Sequence, residues 1–71
     1  MVTCTLQYLK EQLENEGYVC EEQHSGNLLA VNHSRYPILV IANDVHYFCE
    51  VNGWALSNLN DALIESRKRQ I

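Results

Sequence analysis

The chain holds three cysteines, Cys4, Cys20 and Cys49, and three histidines, His24, His33 and His46. Thiolate and imidazole suit zinc. Structural zinc sites draw their ligands in pairs at C-x2-C or H-x3-H spacing, because a short loop must bring both to one ion. Neither spacing occurs here. Cys20 and His24 would share one face of a strand, but about 13 Å apart, too far to hold one ion unless a turn intervenes. His46 and Cys49 differ by an odd number, so on a strand they point to opposite faces. The sequence therefore assigns no metal and no cofactor. An odd cysteine count suits reduced thiols better than a disulfide framework.

Covalent catalysis needs a nucleophile held against a base, with donors for the developing oxyanion. Cys49 sits beside Tyr47 and Phe48 in an apolar run, where a cysteine packs as a small hydrophobe. No G-x-S-x-G, glycine-rich phosphate loop or H-E-x-x-H is present. No catalytic residue is assigned, and the chain is not expected to be an enzyme.

The remaining chemistry is that of surfaces. Glu11, Glu14, Glu16, Glu21 and Glu22 form an acidic run that reads as a solvated face or as a docking band for a basic protein. Trp54, just after Gly53, is either a lid on the core or an exposed anchor of the kind that dominates interface energy. The expected partner-binding set is Glu11, Glu14, Glu21, Glu22 and Trp54. Arg67-Lys68-Arg69 reads first as cations that favour a helix C-terminus. Its alternative use is contact with nucleic acid, which a net charge of -4 disfavours.

Those side chains must be positioned by a small fold. The chain has 71 residues, 46% hydrophobic and 20% charged, in keeping with one globular domain spanning 1–71. No basic and apolar leader opens the sequence, and no apolar run approaches the ~20 residues of a membrane span. A cytoplasmic protein is expected. Asn32-His33-Ser34 matches a glycosylation sequon, taken as chance in that setting.

Val2, Leu6, Leu9 and Leu13 recur at helical spacing, with Thr3 or Thr5 as cap and Gly17 as stop. Tyr18 should fold back onto Leu13. Four strand candidates follow: Tyr18 to Gln23, Leu28 to Asn32, Ile38 to Ala42 and Val45 to Val51. Turns are expected at 24–27, at 33–35 and at Asn43-Asp44, and Asn52-Gly53 should end the last strand. A second helix begins at Ser57 or Asn58, with Asp61 near its positive end and Leu56, Leu59, Leu63 and Ile64 as its apolar stripe. The fold class is α+β: an N-terminal helix, an antiparallel β-meander of three to four strands, and a C-terminal helix.

Ile38 to Ala42 is apolar at every position, whereas a strand with one wet face should alternate. Such a strand expects cover on both faces, and a chain this short has little to supply it. Leu39, Ile41 and Phe48 are therefore the expected oligomer interface, and a homodimer or tight heteromer through the sheet is expected.

The order helix, meander, helix, with Gly17-Tyr18 after the first helix, resembles the front half of secretion-chaperone-like domains. That resemblance implies a small acidic, dimeric binder of another protein. The profile is also similar to phage-encoded inhibitors of host enzymes, which are short, acidic and without catalytic motifs. The sequence thus predicts a non-enzymatic protein-binding module, an inhibitor or adaptor. The rival is a nucleic-acid-contacting regulator using the C-terminal basic helix end.

Overall fold

A computed structural model of the chain describes residues 6–42 and 47–68. Its elements run α1 (Leu6–Asn15), β1 (Val19–Glu22), β2 (Leu28–Val31), β3 (Ile38–Ala42), β4 (Tyr47–Val51), β5 (Trp54–Leu56) and α2 (Leu59–Arg67). The strands form one antiparallel sheet in the order β1-β2-β3-β4-β5. This is the expected α+β order, with one strand more than the sequence suggested. The extra strand comes from Asn52-Gly53. Both residues hold positive φ, 50° and 84°. Two consecutive left-handed residues make the tight turn whose twist matches paired strands, so the chain reverses into β5 instead of leaving the sheet.

α1 ends as its residues dictate. Gly17 takes φ 92°. The Tyr18 amide donates to Leu13 O at 3.0 Å and the Gly17 amide to Glu14 O at 3.0 Å. These paired bonds are the glycine stop that satisfies the last free carbonyls, with an apolar contact across it. Tyr18 and Leu13 accordingly lie together in the core. The proposed caps Thr3 and Thr5, and Val2 of the stripe, lie outside the described residues, as do the Asn43-Asp44 turn and Val45.

α2 begins at Asn58, whose side-chain oxygen accepts from the Asp61 amide at 2.8 Å. Its Nδ2 donates back to Asp61 Oδ2 at 3.1 Å. Free first-turn amides are satisfied in this way, and a carboxylate sits at the positive end of the helix. The buried line of α2 is Ala62 and Ser66, flanked by half-buried Leu59 and Leu63, while Ile64 is exposed. The leucine-and-isoleucine stripe read from the sequence is therefore rotated. Small residues face the sheet because the helix lies close to it.

Register decides where the core sits. Leu28 pairs with Val40 and Val40 with Cys49; Ala30 pairs with Ile38 and Ile38 with Val51. Residues directly opposite in a ladder share a face. All six are buried, and they form one cluster with Leu9 and Leu13 of α1 and Ala62 of α2. Both helices therefore cover the same face of the sheet, α1 over β1 and β2, α2 over β3 to β5.

Candidate protein-binding surface

The alternate residues of the same strands form the other face. Leu29 pairs with Leu39, Ile41 with Phe48, and Val19 with Val31. None of these packs against the core cluster. Val19 is 74% and Val31 47% exposed, and Leu29, Leu39, Ile41 and Phe48 are half-buried. No described element lies over them. Leu39, Ile41 and Phe48, selected from sequence as an interface, are thus brought together on one uncovered face. Leu29, Val19 and Val31 extend it. Parity from Leu28 and Leu39 could have found them, but Leu28 to Asn32 is too short a run to fix which residues face inward.

Along the central row of this face lie Glu21, Leu29, Leu39 and Glu50, one from each of β1 to β4. A carboxylate therefore stands on either side of the Leu29–Leu39 pair. The described lysines and arginines lie elsewhere. Lys10 belongs to α1. Arg35 donates to Glu16 O at 3.2 Å, with its guanidinium 5.6 Å from the Tyr18 ring centre. Arg67 pairs with Glu16 at 2.6 Å and Lys68 with Glu65 at 2.9 Å. At the Val19–Val31 end the surface dips into an open concavity of about 400 Å³ lined by Gly17, Val19, Val31, Asn32, His33 and Ser34.

The acidic set does not form one surface. Glu11 and Glu14 are exposed on α1. Glu22 pairs with Leu28 and shares the helix-covered side, whereas Glu21 pairs with Leu29 and belongs to the uncovered face. Trp54 is 63% exposed, an anchor in form rather than a lid. It lies on β5, at the opposite edge of the sheet from β1. The glutamates and Trp54 are therefore separated by the width of the sheet.

The described thiols and imidazoles do not gather into a ligand set either. Among the described residues no group of three metal-ligating side chains forms. Cys20 and Cys49 are free thiols, the first half-buried and the second buried. Burial raises the Cys49 thiol to about 11. Burial also raises Cys20; the Glu14 charge pushes in the same direction and Lys10 opposes it. Both shifts hold the sulfur protonated at neutral pH, which suits packing and not nucleophilic attack. Cys4 and His46 lie outside the described residues.

Sequence reasoning also missed a polar junction behind the sheet. Ser66 Oγ donates to Tyr36 O at 2.6 Å and accepts from the Tyr18 hydroxyl at 2.5 Å; the Tyr36 amide donates to Ser66 O at 3.0 Å. With Arg67–Glu16 and Arg35–Glu16 beside it, this junction ties the C-terminal ends of both helices to the β2–β3 loop. A serine in a polar-looking helix gives no sign of burial until the helix is docked.

No described helix is long and apolar enough to cross a membrane. No protein-family model, curated protein or solved structure matches this chain.

Proposed function

We propose that this chain is a small non-enzymatic protein-binding module, an inhibitor or adaptor working in a reducing, cytoplasmic setting, and that the uncovered sheet face is its contact surface. One observation carries the reading: both helices pack on the same side, and no described element lies over Leu29, Leu39, Ile41 and Phe48. Clustered apolar side chains on a small domain mark an interaction surface. Two free, protonated thiols accord with a reducing compartment. Contact with nucleic acid through the end of α2 is the weaker reading, since Arg67 and Lys68 are already paired to carboxylates. A homodimer would use the same face, with a second copy as occupant.

Affinity capture with mass spectrometry tests this reading, using the wild type, a Leu39→Asp/Phe48→Asp variant and a Glu11→Lys/Glu14→Lys variant. Capture should vanish with the first variant and survive the second. Capture that survives the first and fails with the second would move function to the acidic face of α1. Purified nucleic acid alone should not bind at 150 mM salt; binding that weakens linearly in log salt would favour the regulator.

A further inference from the structure

We infer that the occupant of the uncovered face is an amphipathic α-helix of another protein, with an apolar stripe flanked on both sides by lysine or arginine. The inference rests on the protein-binding reading and specifies the partner's chemistry.

The shape of the patch is the first argument. Its three cross-strand pairs do not stack in a column. Val19–Val31 lies on β1 and β2, Leu29–Leu39 on β2 and β3, and Ile41–Phe48 on β3 and β4. Each step moves one strand across and two residues along, so the apolar surface is a diagonal stripe one pair wide. From Val19 to Phe48 it spans three strand spacings and four residues, about 19 Å corner to corner. A helix of roughly 13 residues has that length, and its width with side chains is ~10–12 Å. A second sheet packed face to face would need a broad apolar area and would lie over Glu21 and Glu50.

Charge is the second argument. Glu21 and Glu50 flank the centre of the stripe in one row, three strand spacings apart, or about 14 Å. That row crosses the diagonal at roughly 45°, so across the stripe the two residues stand about 10 Å apart, one beside each flank of a helix lying along it. No described lysine or arginine lies on this face, and neither glutamate has an ion-pair partner among the described residues. A second copy docked through the same face would bring its own Glu21 and Glu50 against these and, among the described residues, no cation. Complementary charge selects partners and like charge rejects them. A basic-flanked helix fits, and this chain's own sheet does not. The concavity beside Val19 and Val31 offers a seat for one large apolar side chain near an end of that helix.

The test uses the full chain and two synthetic 14-residue helical peptides with the same leucine stripe, one flanked by arginine and lysine, the other by glutamate. NMR titration follows the methyls of Leu29, Leu39 and Ile41 on the open face, with Leu13 and Val51 as helix-side controls. The basic peptide should shift the first set and spare the second. Its affinity should fall at least tenfold in Glu21→Lys/Glu50→Lys and be lost in Leu39→Asp, with both variants still folded by circular dichroism. The acidic peptide should not bind. Equal binding of the two peptides, binding of the basic peptide at Glu11 and Glu14 instead, or no binding would overturn the inference. Sedimentation equilibrium is run in parallel. A dimer abolished by Leu39→Asp would make a second copy the occupant, sinking the helix but keeping the face as an interaction surface. If capture of a protein partner is indifferent to Leu39→Asp/Phe48→Asp, the underlying reading fails as well.

Discussion

Ser66 shows how much one hydroxyl can hold. It is fully buried, and it serves Tyr18 and Tyr36 at once. Leaving a buried polar group without its partner costs about 1–3 kcal/mol, whereas deleting a hydroxyl together with its hydrogen bond costs about 0.5–1.5 kcal/mol. Ser66→Ala removes the acceptor of the Tyr18 hydroxyl and the donor to Tyr36 O. Tyr18→Phe removes only the outer bond and leaves Ser66 donating to Tyr36. Urea midpoints should therefore rank wild type above Tyr18→Phe, and Tyr18→Phe above Ser66→Ala; equal losses would mean that Ser66 is not the centre of the junction. Cys49 carries a pH signature. Its pKa stands at about 11 in the fold against an ordinary 9.0. The folded state thus favours the neutral thiol, and the unfolded chain ionises first. The stabilisation is complete below about pH 9 and is lost as pH climbs to about 11, a fall of roughly 2–3 kcal/mol at ~1.4 kcal/mol per tenfold change. Tyrosines and lysines titrate nearby, so the quantity to measure is the difference between wild type and Cys49→Ala across that window. A difference flat with pH would show that Cys49 is solvated. Asn32 offers a lesson of another kind. Its amide donates to Gly17 O at 3.0 Å and its oxygen accepts from the Ser34 amide at 3.0 Å. The apparent sequon is a turn residue occupied at both ends of its side chain.

At the scale of elements, strand parity carries the most consequence and is the easiest to test. Leu28 and Leu29 are adjacent and chemically identical, yet Leu28 is fully buried under the helices and Leu29 faces outward. Leu28→Ala should cost about 2–5 kcal/mol through lost burial and the cavity left behind. Leu29→Ala should cost well under about 1 kcal/mol in the isolated chain. Chemical denaturation of the two variants decides the matter, and a costly Leu29→Ala would mean that something covers the open face. The elements differed in how plainly the sequence displayed them. α1 was legible because Leu6, Leu9 and Leu13 mark one stripe and Gly17 can end it. β3 was legible because five consecutive apolar residues have no other economical home. β5 was not, since Trp54–Leu56 is three residues with no alternation, and its existence rests on two positive φ values at Asn52 and Gly53. The buried line of α2 was hidden for a related reason: hydrophobicity points to Leu63 and Ile64, while close approach to the sheet favours Ala62 and Ser66. The candidate surface was half visible. An all-apolar strand announces that both faces need cover, but only the placement of the two helices tells which face lacks it.

At the scale of the whole molecule, the chain is a two-layer structure whose helices form one layer and whose sheet forms the other. Local hairpins build the sheet, each strand pairing with the next. The junction behind it is of another kind. Tyr18 waits for Ser66, 48 positions downstream, and Glu16 for Arg67, 51 positions downstream. Closing such long loops carries an entropy penalty that nearby contacts avoid. The meander can assemble while the junction is still open, so the junction belongs to the late side of the folding barrier. Interactions absent from the transition state change the rate of escape and leave the rate of arrival almost alone. In a stopped-flow chevron, Ser66→Ala should raise the unfolding arm by about tenfold or more and leave the folding arm nearly in place. A slowed folding arm would place the junction in the nucleus instead. Seen this way, the hydroxyl between the two helices is a latch on the clock of the native state: it governs how long the open sheet face persists once made.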